Sequence, residues 1–399
     1  MKILYLLTQD IESPSGLGRY FPLAKELTRG GHQVTIAALH PRYRTLTEKC
    51  FIKEGVKIRY IGQMHVQKIG NEKIYYSPAR LLVITMQATF AFLKVALSEP
   101  ADLIQICKPH PMNSLAGLGA KVFKKRKLFL DCDDFEAGSG RFEGSWQRRI
   151  IAFFEKNTPR YVNAITTNTL FMRQKLLDWG IPEARISYLP NGVDHSRFEN
   201  PDLSKIQQLR NQLGLQGKKV IAYIGSLSLA SHSVDLLVEA FVIIHHEMPD
   251  TRLLLVGGGE DYEFLQKLVD EKGITKSVLF VGRVSPDQVV NYYHLADVSV
   301  DPVIDNDAAR GRSPLKLFES WACGVPFVTA DVGDRKMLAG EPSAAIMVNS
   351  CNELALSESI LTFFLNPDMS KFLQIQGYKS VSRYFWDVLV EKIFYIYQS

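Results

Sequence analysis

Cysteine is scarce and its count is odd. The 399 residues hold five, Cys50, Cys107, Cys132, Cys323 and Cys351, with no C-x-x-C pair. That excludes a disulfide framework and a structural zinc site, and it points to a reducing compartment, the cytoplasm. A large excess of one charge sign is also missing. The 47 basic and 42 acidic residues leave a net charge of +5, too little to argue nucleic-acid binding by itself. It suits an anionic ligand, or an anionic membrane surface where basic residues cluster. With Gly at 27 and Pro at 18, a collagen-like or low-complexity chain is excluded. Long hydrophobic runs are absent. Five apolar residues follow Met1-Lys2 before Thr8, so no secretory signal is read. The longest run, residues 81–97, is interrupted by Gln87 and Lys94. It falls short of the roughly 20 apolar residues that a spanning helix needs, so we predict a helix packed on a sheet.

What is present is an ordinary globular composition, 46% hydrophobic and 22% charged, at a length that suggests two domains. Residues 2–7 form a short apolar run, 8–18 a polar Gly-rich stretch, 19–29 an apolar pattern near helical spacing, and 33–38 a second apolar run. Strand, glycine loop, helix and strand make the βαβ unit of a parallel sheet. Strands at 56–61, 103–106, 127–131, 164–167 and 186–189 continue it. Helices at 81–98, 113–122, 146–157 and 170–179 fall between them. A polar linker and an amphipathic helix occupy 191–216. Strands at 219–224, 252–256, 278–281, 298–301 and 326–330 then restart the alternation, with a helix at 234–247. The predicted fold is α/β: two doubly wound Rossmann-like parallel-sheet domains, 1–195 and 196–378, facing across a cleft. A helix at 379–399 is predicted to pack back on the first domain. Ligands of such sheets bind at the carboxyl ends of the strands.

Two segments carry candidate chemistry. The loop from Ser13 to Arg19 places Gly16 and Gly18 at the start of the first helix, where backbone can approach a phosphate or sugar. The dinucleotide fingerprint G-x-G-x-x-G is not met, because Phe21 stands at the third glycine position, and an NAD-dependent enzyme loses its support. The second segment is Arg310-Gly-Arg-Ser-Pro-Leu-Lys-Leu-Phe-Glu319. Ser313 is a plausible N-cap and Pro314 suits a first helical turn. Lys316 and Glu319, three apart, share a face. Arg310, Arg312, Lys316 and the helix start set positive potential beside one carboxylate. That arrangement matches a sugar nucleotide, with the diphosphate on the cations and the ribose hydroxyls on Glu319. An exposed Lys–Glu helix pair has the same spacing.

Leu189-Pro-Asn-Gly-Val-Asp194 before Phe198, Leu255-Val-Gly-Gly-Gly-Glu260, and Val281-Gly-Arg283 before Tyr292 and Tyr293 occur in order with the 313–329 segment. Together they resemble a family 4 retaining glycosyltransferase of the GT-B fold, over nearly the whole chain. The resemblance implies that the second domain binds a nucleoside-diphosphate sugar and the first binds the acceptor. It also implies transfer with retention and no bound metal or other cofactor. The donor set it implies is Gly16, Gly18, Gly225, Ser226, His232, Gly282, Arg283, Arg310, Ser313, Pro314, Leu315, Lys316 and Glu319.

The chain departs from the family pattern in four places. The family commonly has Glu, seven residues, Glu. Glu319 fits the second, but Gly311 stands at the first, with Asp305 and Asp307 as nearby substitutes. Ser226 stands where the family has Arg, and Ser231 or His232 where it has Lys, so Arg310, Arg312 and Lys316 are the replacement cations. His110 lies three residues later than the family's histidine. We therefore assign His110, Lys108 and Arg312 as candidate catalytic residues. Asp133, Asp134 and Glu136 of Asp131-Cys-Asp-Asp-Phe-Glu136 are candidate acceptor ligands, and the D-x-D letters are not read as a metal site. Nucleic acid is not an expected partner. Basic clusters at Lys121, Lys124, Lys125, Arg126 and Lys127, and at Arg42, Arg44, Arg148 and Arg149, together with the 81–97 run, suggest peripheral contact of the first domain with the inner face of a membrane. The missing carboxylate and cations leave a second reading open: a degenerate copy that binds a nucleotide sugar or a partner enzyme without catalysis.

Overall fold

A computed structural model of the chain describes residues 1–70, 72–138, 146–229, 232–348 and 352–398. Its first ten strands are β1 (Lys2–Leu7), β2 (Gln33–His40), β3 (Cys50–Lys53), β4 (Val56–Gln63), β5 (Val66–Ile69), β6 (Glu72–Tyr75), β7 (Leu103–Cys107), β8 (Lys127–Cys132), β9 (Ala164–Thr167) and β10 (Ile186–Tyr188). Eight of them form one sheet in the order β10-β9-β8-β7-β1-β2-β4-β3, and β5 and β6 pair as a separate hairpin. The pairings are parallel except at the β3 edge. Then come β11 (Lys219–Ile224), β12 (Thr251–Val256), β13 (Val278–Gly282), β14 (Val298–Asp301), β15 (Phe327–Ala330) and β16 (Ile346–Val348). These make a second, all-parallel sheet, β13-β12-β11-β14-β15-β16.

The apolar runs explain the central strands. Side chains alternate across a strand, so a sheet covered by helices on both faces needs both sets to be apolar. In β1, Ile3, Tyr5 and Leu7 enter one core while Leu4 and Leu6 enter the other. In β11, Val220, Ala222 and Ile224 face one core and Ile221 and Tyr223 the opposite one. In each sheet the strand order reverses beside the central strand, at β1/β7 and at β11/β14. There the carboxyl ends diverge and leave a crevice.

Several elements differ from the sequence expectation. The helix expected from residue 19 starts as a π-type turn, Gly16–Tyr20, and continues as Phe21–Arg29. The short strands β3, β5, β6 and β16 were not predicted, because their few residues carry little periodicity. The expected C-terminal helix is broken. Pro367–Val381 packs on the second domain, Phe385 is extended, and Trp386–Gln398 enters the core against β1. At the crossing, Val193 bridges Phe385 and the Trp386 indole N–H donates to the Gly18 carbonyl at 3.0 Å. The apolar segment forms helix Pro78–Ser98, the one described helix long and apolar enough to cross a membrane. Its inner side, Ile84, Ala88, Phe92, Val95 and Ala96, is buried, and Ala88, Phe92, Val95 and Ala96 belong to the core on one face of the first sheet.

Candidate active site

The first-domain half is built at the β1/β7 crevice. Thr8 follows β1, and its hydroxyl lies 2.7 Å from His110 Nδ1. His110 is the N-cap residue of helix Pro111–Lys124 and is almost fully buried, not a surface loop histidine. Burial lowers its pKa, and the neighbouring Lys108 charge lowers it further against the pull of Glu136. The imidazole is therefore neutral at neutral pH, able to exchange a hydrogen bond with a hydroxyl. Lys108 leaves β7 with φ at +66°, an uncommon conformation for a side-chain-bearing residue that costs roughly 1–3 kcal/mol. The Asn113 amide holds this turn by donating to the carbonyls of Leu6, Cys107 and Lys108. The turn delivers the Lys108 ammonium, 2% exposed, to Asp134 at 2.5 Å, Glu136 at 2.8 Å and Asp133 at 3.4 Å. Burial raises the Asp134 carboxyl to about 6, although Lys108 and Arg312 both pull it down.

Asp131 and Asp133, the D-x-D letters, are already engaged. Asp131 takes a bidentate pair from Arg19 and a hydroxyl from Thr166, while Asp133 accepts from Asn168. Arg19 is fully buried and also donates to the Leu189 and Pro190 carbonyls and to Asn191, fastening the glycine loop to the crossing segment. Among the described residues, no group of three or more His, Cys, Asp or Glu is arranged to hold a metal ion. Gly16 is required locally, since a Cβ there would lie 2.2 Å from the Asp10 carbonyl.

A buried carboxylate orients the acidic loop. Glu155 of helix Trp146–Asn157 accepts the backbone N–H groups of Glu136 and Ala137 at 2.7 and 3.0 Å. Burial raises its pKa from 4.5 to about 8. The folded chain thus keeps a proton that the unfolded chain releases. This stabilising contribution is complete below about pH 4.5 and is lost as pH rises through 8. Between pH 7 and 9 this loss, about 1.4 kcal/mol, should lower the melting temperature by roughly 2–3 °C, and Glu155→Gln should flatten that slope. An unchanged slope in the variant would contradict this assignment.

The second-domain half sits at the β11/β14 crevice. Asp301, the last residue of β14, accepts from Lys316 at 3.0 Å and Arg335 at 2.9 Å, and these cations hold its pKa well below the usual carboxylate range despite burial. Burial pulls the Lys316 ammonium below its ordinary value. Its Nζ lies 5.0 Å from the centre of the Tyr223 ring and 3.3 Å from His232 Nδ1. His232, which stands where the family has Lys, is driven well down by burial and by Lys316 and Arg312, so it is a neutral acceptor. Ser231 lies outside the described residues. Gly225 makes room for the lysine, because a Cβ there would meet Lys316 Cε at 2.7 Å. Ser226 offers its carbonyl to the Tyr223 hydroxyl at 2.7 Å. The next loop stacks backbone on backbone. Gly257, at φ +137°, leaves 1.8 Å between a hypothetical Cβ and the Gly225 carbonyl. Glu319 accepts from the Tyr293 hydroxyl at 3.1 Å, lies 3.9 Å from Arg197, and has its pKa raised by burial. Gly282 ends β13 at φ +77°, and Arg283 beyond it lies within the field of Glu260.

The 310–319 segment differs from the sequence expectation. Ser313 is not the N-cap. Helix Leu315–Ala322 has Pro314 in that position, and the Ser313 hydroxyl instead accepts the Asn191 N–H at 3.2 Å, across the domain boundary. Arg310 points to solvent in a pair with Asp305, and Asp307 reaches Lys175 at 3.4 Å. Neither carboxylate is placed beside Lys316 or Glu319. The charge of Arg312, in contrast, is felt by Asp134 in the first domain and by Lys316, His232 and Tyr223 in the second. Gly18 faces Leu315 across the boundary, with 2.7 Å from a hypothetical Cβ. Gly311 likewise faces Phe135, where a Cβ would lie 2.6 Å from the phenylalanine Cβ. The acidic loop therefore occupies the room that a side chain at 311 would need. Gly311→Glu should displace it, costing about 1–3 kcal/mol and lowering the melting temperature by several degrees. A melting temperature equal to wild type would show that the loop does not fill this space. Arg19, Asp301, Arg335 and Asp334 were missed by sequence reasoning. Asp334 accepts the Leu170 N–H and the Tyr188 hydroxyl, both from the first domain, at 3.0 Å.

Two doubly wound domains, closed over a cationic crevice in the second and an acidic, histidine-bearing one in the first, define the GT-B class of glycosyltransferase folds. Two family models divide the chain between them. Glycosyltransferase Family 4 matches residues 16–197, and Glycosyl transferases group 1 matches residues 205–380. The chain belongs to glycosyltransferase family 4. It is 24% identical over 217 residues to a GDP-mannose-dependent alpha-(1-6)-phosphatidylinositol monomannoside mannosyltransferase of Mycolicibacterium smegmatis, covering 54% of this chain and 56% of that one. It is 28% identical over 262 residues to the D-inositol 3-phosphate glycosyltransferase of Acidothermus cellulolyticus, covering 63% and 56%. The chain thus spans a little over half the length of these curated relatives. Among solved structures, Anabaena HepE in complex with UDP-glucose superposes with a TM-score of 0.75 at 17% identity, over 100% of this chain and 99% of that one.

Proposed function

We propose that the protein transfers a sugar from a nucleoside-diphosphate sugar to a hydroxyl of a glycan or lipid-linked acceptor, with retention of configuration and without a metal. The observation that carries this is the position of Arg312. Its neighbours Gly311 and Ser313 meet the first domain, at Phe135 and at the Asn191 N–H, and its charge acts both on Lys316 of the donor domain and on Asp134 of the acceptor domain. Arg312, Lys316 and the backbone amides at the start of helix Leu315–Ala322 stabilise charge developing on the departing diphosphate. Glu319 accepts the ribose hydroxyls. Neutral His110 bonds a sugar hydroxyl, and Asp134 and Glu136 orient the acceptor. The bond between the anomeric carbon and the diphosphate oxygen breaks as the acceptor oxygen bonds the same face. The acceptor proton passes to the departing phosphate oxygen. Fixed cations fill the charge-neutralising role, so the step needs no divalent ion. The name of one relative, which specifies GDP-mannose and a phosphatidylinositol monomannoside, and the UDP-glucose complex of a structural neighbour support a sugar-nucleotide donor and a lipid-linked acceptor. The reaction belongs to a reducing interior, consistent with Cys50, Cys107, Cys132 and Cys323 as free thiols.

The test is incubation of the purified chain with labelled GDP-mannose or UDP-glucose and a membrane lipid extract, in EDTA, followed by NMR of the glycosylated product. Retention predicts the donor's anomeric configuration in the product. An inverted product, or transfer restored only by a divalent ion, would contradict the proposal.

A further inference from the structure

Three neighbouring helices of the first domain present an apolar surface that no part of the described chain covers. On helix Pro78–Ser98, Leu82, Met86 and Phe90 recur every four residues on the side opposite the core, with Val83 beside them. Phe90 is 67% exposed. Helix Pro111–Lys124 lies alongside, with Gly119 against Leu93, and adds Leu115, Val122 and Phe123, the last two 73% exposed. Helix Trp146–Asn157 adjoins it and adds Trp146, Ile150 and Phe153. Apolar faces of this extent on soluble proteins mark interaction sites.

Charge indicates the occupant. These three helices carry seven basic residues: Arg80, Lys94, Lys121, Lys124, Arg148, Arg149 and Lys156. Their one carboxylate, Glu155, is buried and turned to the acidic loop. Arg80 and Lys94 bracket the apolar stripe of the first helix at its two ends. A depression beside the second helix is lined by Lys121, Lys125, Arg126, Lys127 and Asn163. Large apolar side chains ringed by cations, without an exposed carboxylate on the same helices, fit the interface of an anionic bilayer. The apolar groups enter the acyl boundary and the cations stay at headgroup level. A second copy of the same face would set like charges against each other. We infer that this three-helix face docks the protein on an anionic lipid surface. The inference does not depend on the donor assignment, and it would bring the first-domain cleft to a lipid-linked acceptor.

Co-sedimentation of the full chain with vesicles tests it, using phosphatidylcholine alone and an equimolar mixture with phosphatidylglycerol. The wild type should bind the anionic vesicles and leave them as salt rises. Met86→Glu with Phe90→Glu should weaken binding at least about tenfold. Lys124→Glu with Lys127→Glu, both exposed and outside the core, should weaken it by roughly 25-fold. Leu365→Glu, on the second domain, should leave it unchanged. Circular dichroism melts matching the wild type would show that the variants are folded. The inference is overturned if the wild type binds both vesicle types equally or neither. It is also overturned if both double variants bind as wild type, or if sedimentation shows a dimer that Met86→Glu with Phe90→Glu dissociates.

Discussion

Lys316→Ala should lower the transfer rate by about 10²–10³ while leaving the melting temperature within a few degrees of wild type. Two features separate the large catalytic loss from the small structural one. Lys316 is 13% exposed, so its ammonium is open to a diphosphate bound as we propose. Its partner Asp301 keeps a second cation, Arg335, at 2.9 Å when the lysine is gone. The buried carboxylate is therefore not left uncompensated, which is the usual source of a heavy penalty. Steady-state transfer kinetics beside a thermal melt check both halves. A variant with wild-type rates would remove Lys316 from the account of charge stabilisation.

Lys108→Ala should show the opposite balance, a loss of about 3–5 kcal/mol of stability at pH 8. Its ammonium is the group that permits Asp133, Asp134 and Glu136 to sit together. Without it three carboxylates face one another in a buried site. The deficit should shrink in acid. Asp134 already has a folded-state pKa raised from 3.8 to about 6, and removing Lys108 raises it further. A carboxyl whose folded pKa lies above its unfolded one binds a proton preferentially in the folded state. Its stabilising contribution is present at low pH and lost as pH rises through the folded value. The difference in melting temperature between variant and wild type should therefore be smaller at pH 5 than at pH 8. Equal differences at both pH values would show that the three carboxylates do not depend on Lys108.

The central strands and the helices between them were legible because a sheet covered on both faces demands unbroken apolar runs, as in β1 and β11. The edge strands were not, since β3, β5 and β6 are short and polar enough to read as loops. The 379–399 stretch reads as continuous amphipathic helix. Only tertiary packing shows that Phe385 breaks it so that Trp386 can cross to the Gly18 loop. At the site, Lys316 and Glu319 could be read from helical spacing and motif together. Arg310 could not be separated from Arg312, because counting charge gives no direction. One arginine turns outward to Asp305, while the charge of the other acts on Asp134 and on Lys316. The pairing of Lys108 with carboxylates 25 to 28 residues away is a product of strand order and leaves no local pattern. Gly311 read as a lost carboxylate. In the fold it is the space into which Phe135 and the acidic loop fit.

As we propose, a nucleoside-diphosphate sugar binds the crevice of Lys316 and Glu319 without a metal. Calorimetric titration of the folded chain with UDP-, GDP-, TDP- and ADP-sugars, with and without EDTA, tests it most directly. One nucleotide should bind, EDTA should leave its Kd unchanged, and Glu319→Ala should weaken it at least about tenfold, the loss of two charge-assisted hydrogen bonds. Binding that disappears in EDTA, binding indifferent to Glu319→Ala, or no heat from any of the four donors would contradict it.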